Sequence, residues 1–184
     1  LPVPNGDEAK CEELPDGSVV ITSRAYGGRY FNIYKYSDVE SGAGSWGEAA
    51  PSGKRVNGCV TVENACNGGI LIIPALRCAD GRPIYVALQA VPFGPKRANV
   101  GIYAKELPEN IASITPEILA ADWNIKYQVS HDWSAYSTML QNKNKDIVFY
   151  YEENQTGSTF VYDMIYCEIS LEEITSGLYR AIKR

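Results

Sequence analysis

The stretch DEAKCEELPDGSVVITSR, residues 7–24, carries the most structural information in the chain. At its centre, Pro15-Asp16-Gly17 is typical of a tight turn, because proline presets one turn dihedral and glycine accepts a positive one. The residues that follow it, SVVITSRAY (18–26), are rich in β-branched side chains. Their apolar and polar side chains alternate with the period of two that a half-buried strand shows. The stretch therefore predicts a β-hairpin with an acidic residue before its first strand and an arginine near the end of its second.

Similar period-two patterns recur through the chain and are bounded by turn signals. They occupy residues 29–38, 83–91, 98–106, 146–153 and 159–170, with turn signals at Gly27-Gly28, Asp80-Gly81 and Gly157-Ser158. Helical periodicity is confined to a possible turn at 116–121 and the short segment LEEITSGLYR (171–180). Many short strands joined by turns predict an all-β fold, which is a sandwich, a barrel or a propeller.

Composition limits the function classes. The 184 residues suffice for one domain with a sizeable core, and 45% hydrophobic with 21% charged residues is ordinary for a soluble globular protein. A net charge of −5 without any lysine or arginine run gives no support for a nucleic-acid partner or an anionic membrane surface. The longest apolar stretch, GGILIIPAL (68–76), is too short to span a bilayer.

The cysteines give no metal-binding pattern. The five cysteines include no CxxC pair, and the single histidine, His131, cannot complete a zinc site, so the sequence predicts no metal site. We expect most of the thiols to be buried as small apolar side chains.

Residues 36–47, YSDVESGAGSWG, place Ser, Asp, Gly and Trp in the order S-D-x-x-x-G-x-G-S-W. This order resembles a degenerate Asp box, the S-x-D-x-G-x-x-W turn repeated on the rim of certain β-propellers. In such a turn Asp38 would accept hydrogen bonds from backbone N–H groups, and the Trp46 side chain would be buried in the interior of the blade. The alternative is a surface loop rich in serine and glycine, and a single imperfect copy favours neither.

Residues 7–24 also resemble a signature of the sialidase (exo-α-neuraminidase) family, which consists of a glutamate, a VELPDG-like hairpin and a strand ending in arginine. Glu8 and Arg24 are separated by sixteen positions, and the turn lies between them. In that family the glutamate is the general-base partner of a tyrosine nucleophile, and the arginine belongs to a trio that binds the substrate carboxylate. The resemblance implies these roles for Glu8 and Arg24.

Further segments resemble the family in the family's order. NACNGGILI (64–72) resembles the glycine- and serine-containing segment before a strand. Residues 83–106 resemble the strand, loop and R-x-N segment that carries the next arginine of the trio, which implies a carboxylate-binding role for Arg97. Arg29, Arg55 and Arg77 lie outside these motifs, and we expect them to be surface arginines of the strands.

AYSTM (135–139) resembles the G-Y-S-x-L motif around the nucleophile, which implies that Tyr136 is the nucleophile. FYYEE (149–153) resembles the strand whose glutamate braces the first arginine of the trio, which implies that role for Glu152. With thirteen tyrosines in the chain, the alternative for Tyr136 on its local sequence is an ordinary core or edge-strand residue.

The chain departs from the family in three places. Ala135 replaces the glycine before the tyrosine, and a long connection (113–133) lies between Arg97 and Tyr136. The family's N-terminal half, with the first arginine in an R-I-P-like strand and the aspartate that acts as general acid, has no counterpart. We therefore expect residues 1–184 to be one partial domain, about three blades from the C-terminal half of a six-bladed sialidase-type β-propeller.

The resemblance implies a retaining glycoside hydrolase that removes terminal sialic acid from glycoconjugates without a cofactor, and a secreted, periplasmic or cell-surface location. A neutral tyrosine suits this substrate, because a carboxylate nucleophile would be repelled by the sugar's own carboxylate. Alone, the chain is expected to be inactive and to associate with its missing N-terminal half or with itself. One alternative is a non-catalytic carbohydrate-binding or adhesion module. Another is a structural β-sandwich, in which Glu8, Arg24, Arg97 and Tyr136 would lie far apart.

Overall fold

The structure is a computed structural model that describes residues 1–154 and 161–182. The turn expected at Gly157-Ser158 and the first two residues of the strand expected at 159–170 lie outside the described residues. Within the described ranges, no helix is both long and apolar enough to cross a membrane.

Three antiparallel sheets make up the described part of the chain. The first sheet contains β1 (Lys10–Glu13), β2 (Val19–Ala25), β3 (Gly28–Asp38), β4 (Ala43–Trp46) and β5 (Ala50–Ser52). The second contains β6 (Ile70–Arg77), β7 (Pro83–Pro92), β8 (Val100–Glu106) and β9 (Ile125–Gln128), and the third contains β10 (Trp133–Gln141), β11 (Ile147–Asn154) and β12 (Asp163–Ile169). The final strand, β13 (Tyr179–Ala181), returns to the second sheet and pairs with β6.

Helices are short, as the sequence predicts. The chain has α1 (Pro116–Ala120), α2 (Leu171–Ile174) and 3₁₀ turns at Lys54–Val56 and Ile111–Ser113. In α1, Thr115 accepts a hydrogen bond from the backbone N–H of Ile118 and caps the helix. The long connection after β8 thus forms α1 and β9, which adds a strand to the second sheet. The all-β prediction is confirmed.

The second sheet lies between the other two, and both its faces are buried. Along β7, Ala87 and Val91 pack in a core shared with the first sheet, whereas Val86 and Leu88 pack in a core shared with the third. Successive side chains of a strand point to opposite faces, so a strand buried on both sides is apolar throughout. This arrangement explains the nearly continuous apolar run at 83–91.

The hairpin between β3 and β4 contains the degenerate Asp box. Asp38 Oδ1 accepts a hydrogen bond from the backbone N–H of Glu40 at 3.0 Å, and the Ser41 hydroxyl donates to Asp38 Oδ2 at 2.6 Å. The bond from Glu40 is the kind expected of an Asp-box aspartate. Trp46 does not fill the blade: its side chain is 37% exposed and packs against Tyr34 with ring centroids 5.1 Å apart. The expectation for Trp46 was wrong, because β4 is a short edge strand with an exposed surface.

The expectation that most thiols are buried was also wrong. Cys59 and Cys66 are buried, but Cys11 and Cys78 are exposed and Cys167 is half-buried. All five are free thiols.

Candidate active site

Glu8 stands immediately before β1, next to the end of β2. Its backbone has a left-handed φ of 45°, a conformation that costs energy for a residue with a Cβ and that often marks functional positions. The preceding residue, Asp7, exchanges two hydrogen bonds with the Ser23 hydroxyl, at 3.0 and 2.9 Å, and its carbonyl accepts from the Arg24 backbone N–H at 3.3 Å. These bonds hold Glu8 in its strained conformation beside Arg24.

Tyr136 occupies a β-bulge in β10. Ser134 pairs with Glu153 and Ser137 pairs with Tyr151, so Ala135 and Tyr136 together face the single residue Glu152. A bulge re-aims a side chain at the rim of a sheet, and bulges are frequent beside active sites. Ala135 is fully buried, and the bulge turns Tyr136 towards the first sheet, where Glu8 lies.

The Tyr136 hydroxyl donates a hydrogen bond of 2.7 Å to Glu8 Oε1, although the two residues are 128 positions apart in the sequence. Arg97 Nη2 donates to the same hydroxyl oxygen at 3.5 Å, and its guanidinium carbon lies 5.0 Å from the ring centroid. The bond to Glu8 and partial burial raise the pKa of Tyr136, while Arg97 acts in the opposite direction. The phenol is therefore neutral near pH 7, with a proton acceptor already in contact.

Arg97 is positioned by the loop between β7 and β8. Its carbonyl accepts from the backbone N–H of Ser134 at 3.0 Å, which joins the loop to the start of β10. The side-chain amide of buried Asn64 donates to the carbonyls of Pro92 and Lys96, at 3.3 and 2.8 Å. These contacts fix both ends of the segment that presents Arg97 to Tyr136.

Arg24 is held by two carboxylates. Its Nη1 lies 2.7 Å from Glu8 Oε2, while Nε and Nη2 both donate to Asp7 Oδ2, with the Nε bond at 3.1 Å. The bonds to Asp7 are the main reason that the pKa of Arg24 is raised. A guanidinium has five N–H donors, so one on Nη1 and one on Nη2 remain for a ligand. Asp7 was missed by sequence reasoning, although it directly precedes the motif glutamate.

Glu152 lies beside Tyr136 on β11. One of its carboxylate oxygens accepts from the Tyr136 backbone N–H at 3.4 Å. None of the ion pairs among the described residues includes Glu152. The structure thus brings the fifth sequence-predicted residue to the same place, where it supports the bulge.

Arg29, which the sequence suggested to be a surface residue, is 1% exposed, so that expectation was wrong. It sits on β3 opposite Arg24, and its Nη1 donates to the Cys66 carbonyl at 3.0 Å. Burial raises the pKa of the Cys66 thiol to about 11, while the positive charge of Arg97 lowers it. Arg29 and Cys66 therefore lie beneath the site. The burial of Arg29 was missed because no local pattern marks it, and no motif in the sequence placed Cys66 here.

An open cavity of about 550 Å³ adjoins the two arginines. Arg24 and Arg97 line it, together with Asp7 and the side chains of Tyr26 and Tyr30. Two guanidinium groups with free N–H donors can bind a carboxylate there, and the tyrosines offer apolar ring surface. Among the described residues, no group of three or more His, Cys, Asp or Glu side chains is arranged to hold a metal ion.

Glu8, Arg24, Arg97, Tyr136 and Glu152 thus come together, from all three sheets. A β-sandwich with accidental motif matches requires Glu8, Arg24, Arg97 and Tyr136 to lie far apart, so that alternative is wrong. The arrangement supplies a neutral hydroxyl, a carboxylate that can accept its proton, and cations for an anionic ligand.

Comparison with solved structures identifies the fold. The chain is similar to the intramolecular trans-sialidase from Ruminococcus gnavus, crystallised with oseltamivir carboxylate, with 20% identity and a TM-score of 0.63 over 91% of the chain. It is also similar to the leech intramolecular trans-sialidase complexed with 2,7-anhydro-Neu5Ac, with 20% identity and a TM-score of 0.63 over 92% of the chain. The matches cover 33% and 24% of those proteins. The sialidase-type propeller fold is confirmed, and the chain spans about a third or less of its structural neighbours.

No family model matches the chain, and no curated protein matches it in sequence.

Proposed function

We propose that this chain is part of a retaining glycosidase that removes terminal sialic acid, with Tyr136 as nucleophile and Glu8 as its general base. The observation that carries the proposal is the 2.7 Å hydrogen bond between the Tyr136 hydroxyl and Glu8. A phenol is a weak nucleophile near neutral pH and needs an adjacent proton acceptor. Here the acceptor is in contact before any substrate binds.

The charges beside this pair favour a substrate with its own carboxylate. Arg24 and Arg97 line one open cavity, and Arg97 also contacts the nucleophile's hydroxyl. A planar guanidinium binds a carboxylate through two parallel hydrogen bonds. Sialic acid carries its carboxylate on the anomeric carbon, so a carboxylate bound by these arginines lies next to the carbon that Tyr136 attacks.

In the first step, Tyr136 Oη forms a bond to the anomeric carbon while its proton passes to Glu8. The bond to the leaving-group oxygen breaks, and that oxygen requires a proton from a general acid. The family resemblance assigns this acid to an aspartate in the N-terminal half. In the second step the acceptor, water in a hydrolase, gives a proton to the aspartate that acted as acid and attacks the anomeric carbon from the face opposite Tyr136. The bond between that carbon and Tyr136 Oη breaks, and Glu8 returns its proton to the phenol oxygen. Two inversions give retention.

The raised pKa of Tyr136 means that the phenol does not lose its proton to solvent near neutral pH. Glu8 disfavours a free phenolate, because two negative oxygens 2.7 Å apart repel each other. The resting enzyme therefore keeps a neutral nucleophile, which an anionic sugar can approach.

We propose that the upstream half of the same propeller packs against the outer face of the third sheet. Cross-strand pairing places Leu140, Tyr150, Met164 and Tyr166 on this face, and all four are exposed. Glu152 shares the face, where the resemblance expects the first arginine of the trio to meet it. The limited coverage of both structural neighbours supports a longer catalytic unit.

A non-catalytic sialoside-binding module remains the alternative. Such a module needs the arginines but has no use for a hydroxyl and carboxylate in direct contact. The Tyr136–Glu8 bond therefore favours the enzyme.

Kinetics of the full-length protein on a fluorogenic sialoside test the proposal. Tyr136→Phe keeps the ring but removes the attacking oxygen, so we expect turnover to fall by about 10³-fold or more while sialoside binding persists. Tyr36→Phe, at an exposed tyrosine of β3 in the first sheet, is the matched control and leaves the chemistry intact. Unchanged turnover in Tyr136→Phe removes this residue from the mechanism. The non-catalytic binding module is identified by three results together. The parent protein shows no turnover, Tyr136→Phe binds the sialoside as well as the parent does, and Arg97→Ala does not bind it.

A further inference from the structure

Tyr26 stands at the tip of the hairpin between β2 and β3. Ala25 and Gly28 pair across this hairpin, so Tyr26 and the following glycine alone form its loop. The Tyr26 side chain is 77% exposed. A single exposed aromatic residue is common on protein surfaces and by itself indicates nothing. Its position matters here, because Tyr26 lines the cavity that Arg24 and Arg97 also line.

The tip of this hairpin is hydrogen-bonded to the segment that supports Arg97. The backbone N–H of Gly27 donates to the Asn64 carbonyl at 3.1 Å. Gly27 has a left-handed φ of 79°, which a residue with a Cβ adopts only at a cost in energy. The side-chain amide of Asn64 donates in turn to the carbonyl of Lys96 at 2.8 Å. One residue thus holds both the loop of Tyr26 and the segment of Arg97, so their relative positions are set before a ligand binds.

The walls of the cavity are of two kinds. Arg24 and Arg97 supply positive charge, while Tyr26 and Tyr30 supply aromatic rings. Tyr30 lies on β3 and has strand partners on both sides, in β2 and β5, so its backbone is fixed. The volume of about 550 Å³ lies in the range of small-molecule sites. A carboxylate bound by the arginines therefore fills only part of the cavity.

The cavity lies beside the reacting groups. The described residues that line it include neither Tyr136 nor Glu8, although Arg97 contacts the Tyr136 hydroxyl. In a displacement with inversion, the leaving group departs from the face of the anomeric carbon that is opposite the nucleophile. The leaving group of a sialoside, its aglycone, is attached to the same carbon as the carboxylate. A carboxylate held by Arg24 and Arg97 therefore leaves the aglycone next to the cavity and away from Tyr136.

We propose that Tyr26 sets the preference of this site for the aglycone, resting on the function proposed above, and that its ring stacks on the C–H face of the sugar to which sialic acid is linked. A pyranose presents such an apolar face, and a tyrosine ring covers it at a low cost in conformational entropy. The arginines recognise the sialic acid, whereas Tyr26 recognises what is attached to it. The substrate class is thus a sialoside whose aglycone begins with a sugar.

The test compares the Kd values of sialyllactose and methyl sialoside, measured by calorimetry on the full-length protein. Every protein carries Tyr136→Phe, so that neither ligand is consumed. Tyr26→Ala should lower the preference for sialyllactose over methyl sialoside by about 3- to 10-fold, the loss expected for one aromatic stacking contact. Tyr26→Phe keeps the ring and should keep the preference. Tyr36→Ala, at an exposed tyrosine of β3, is the control and should leave the preference unchanged.

An unchanged preference in Tyr26→Ala overturns the proposal and leaves Tyr26 an exposed residue of the hairpin. An equal loss of affinity for both sialosides also overturns it, because the ring then acts on the sialic acid and not on the aglycone. If the protein with an intact Tyr136 binds both sialosides but cleaves neither, the proposed glycosidase is refuted, and the preference still decides the role of Tyr26. Binding of neither sialoside refutes the sialic-acid assignment and the aglycone site with it.

Discussion

The Tyr136 hydroxyl contacts two side chains of opposite charge, Glu8 and Arg97. Glu8 accepts it at 2.7 Å and raises the pKa of the phenol, whereas Arg97, 3.5 Å from the same oxygen, stabilises the phenolate. Both influences can be removed separately by mutation. The two side chains shift the pKa of Tyr136 in opposite directions, so a substitution of each one tests its effect separately.

Glu8→Gln should lower the pKa of Tyr136, because it removes the anion that opposes ionisation. Arg97→Gln should raise the same pKa, because it removes the cation that favours ionisation. The ¹³Cζ resonance of Tyr136, followed by NMR against pH in the full-length protein, measures both. Glu8→Gln should also lose turnover despite the more acidic phenol, since the proton acceptor is gone. A rise in the Tyr136 pKa in Glu8→Gln would contradict the pairing seen here.

Single residues were predictable where a motif marks their position. The resemblance of short motifs to the sialidase family marks Glu8, Arg24, Arg97 and Tyr136, and the structure places them together. Arg29 was not predictable, because it follows a glycine turn and reads locally as a surface residue. Its burial comes from a contact with a carbonyl 37 positions away, which no local pattern encodes.

Among the structural elements, the bulge in β10 determines where the Tyr136 side chain points. Two residues of β10 face one residue of β11, and the Tyr136 backbone N–H is bound by a side-chain oxygen of Glu152 instead of by the ladder. The strand patterns found in the sequence did not include β10. The bulge was not foreseeable either, because small residues such as Ala135 and Ser137 fit a regular strand equally well.

The loop that carries Arg97 depends on buried Asn64. The side-chain amide of Asn64 donates to three carbonyls, those of Val62, Pro92 and Lys96. Asn64→Ala leaves these acceptors without that donor, so we expect the free energy of unfolding to fall by about 1–3 kcal/mol. KM for a sialoside should rise as well, because Arg97 is no longer held.

Thermal unfolding and steady-state kinetics of the full-length protein measure these two effects. Asn124→Ala is the control, since Asn124 is exposed and its loss should change stability by no more than about 0.5 kcal/mol. Equal stability and equal KM in Asn64→Ala and Asn124→Ala would show that the amide does not hold the loop.

At the scale of the whole molecule, the three sheets form two buried interfaces, and the outer face of the third sheet carries exposed apolar side chains. Leu140 and Met164, on the outer face of the third sheet, are 52% and 64% exposed. Apolar side chains clustered on one sheet face are typical of an interaction surface. The architecture was foreseeable from strand patterns and motifs, whereas the exposed apolar face of the third sheet became apparent only once cross-strand register was known.

We expect the isolated 184-residue chain to associate in a concentration-dependent way and to bind its upstream half when that half is added. Leu140→Lys with Met164→Lys should suppress both, because the charges cannot be buried against another sheet. Sedimentation velocity measures the association. Leu178→Lys is the control, since Leu178 is equally exposed but lies at the second sheet. A parent chain that stays monomeric and does not bind the upstream half would contradict the proposed packing.

The central claim, that Tyr136 attacks the anomeric carbon of sialic acid, is tested most directly by trapping the covalent intermediate. A sialosyl fluoride with a second fluorine beside the anomeric carbon slows release of the glycosyl group, so the intermediate can accumulate. After incubation with the full-length protein, peptide mass spectrometry should find the fluorosialosyl group on Tyr136 and no label in Tyr136→Phe. Label on another residue, or turnover of an ordinary sialoside by Tyr136→Phe at the parent rate, would contradict the claim.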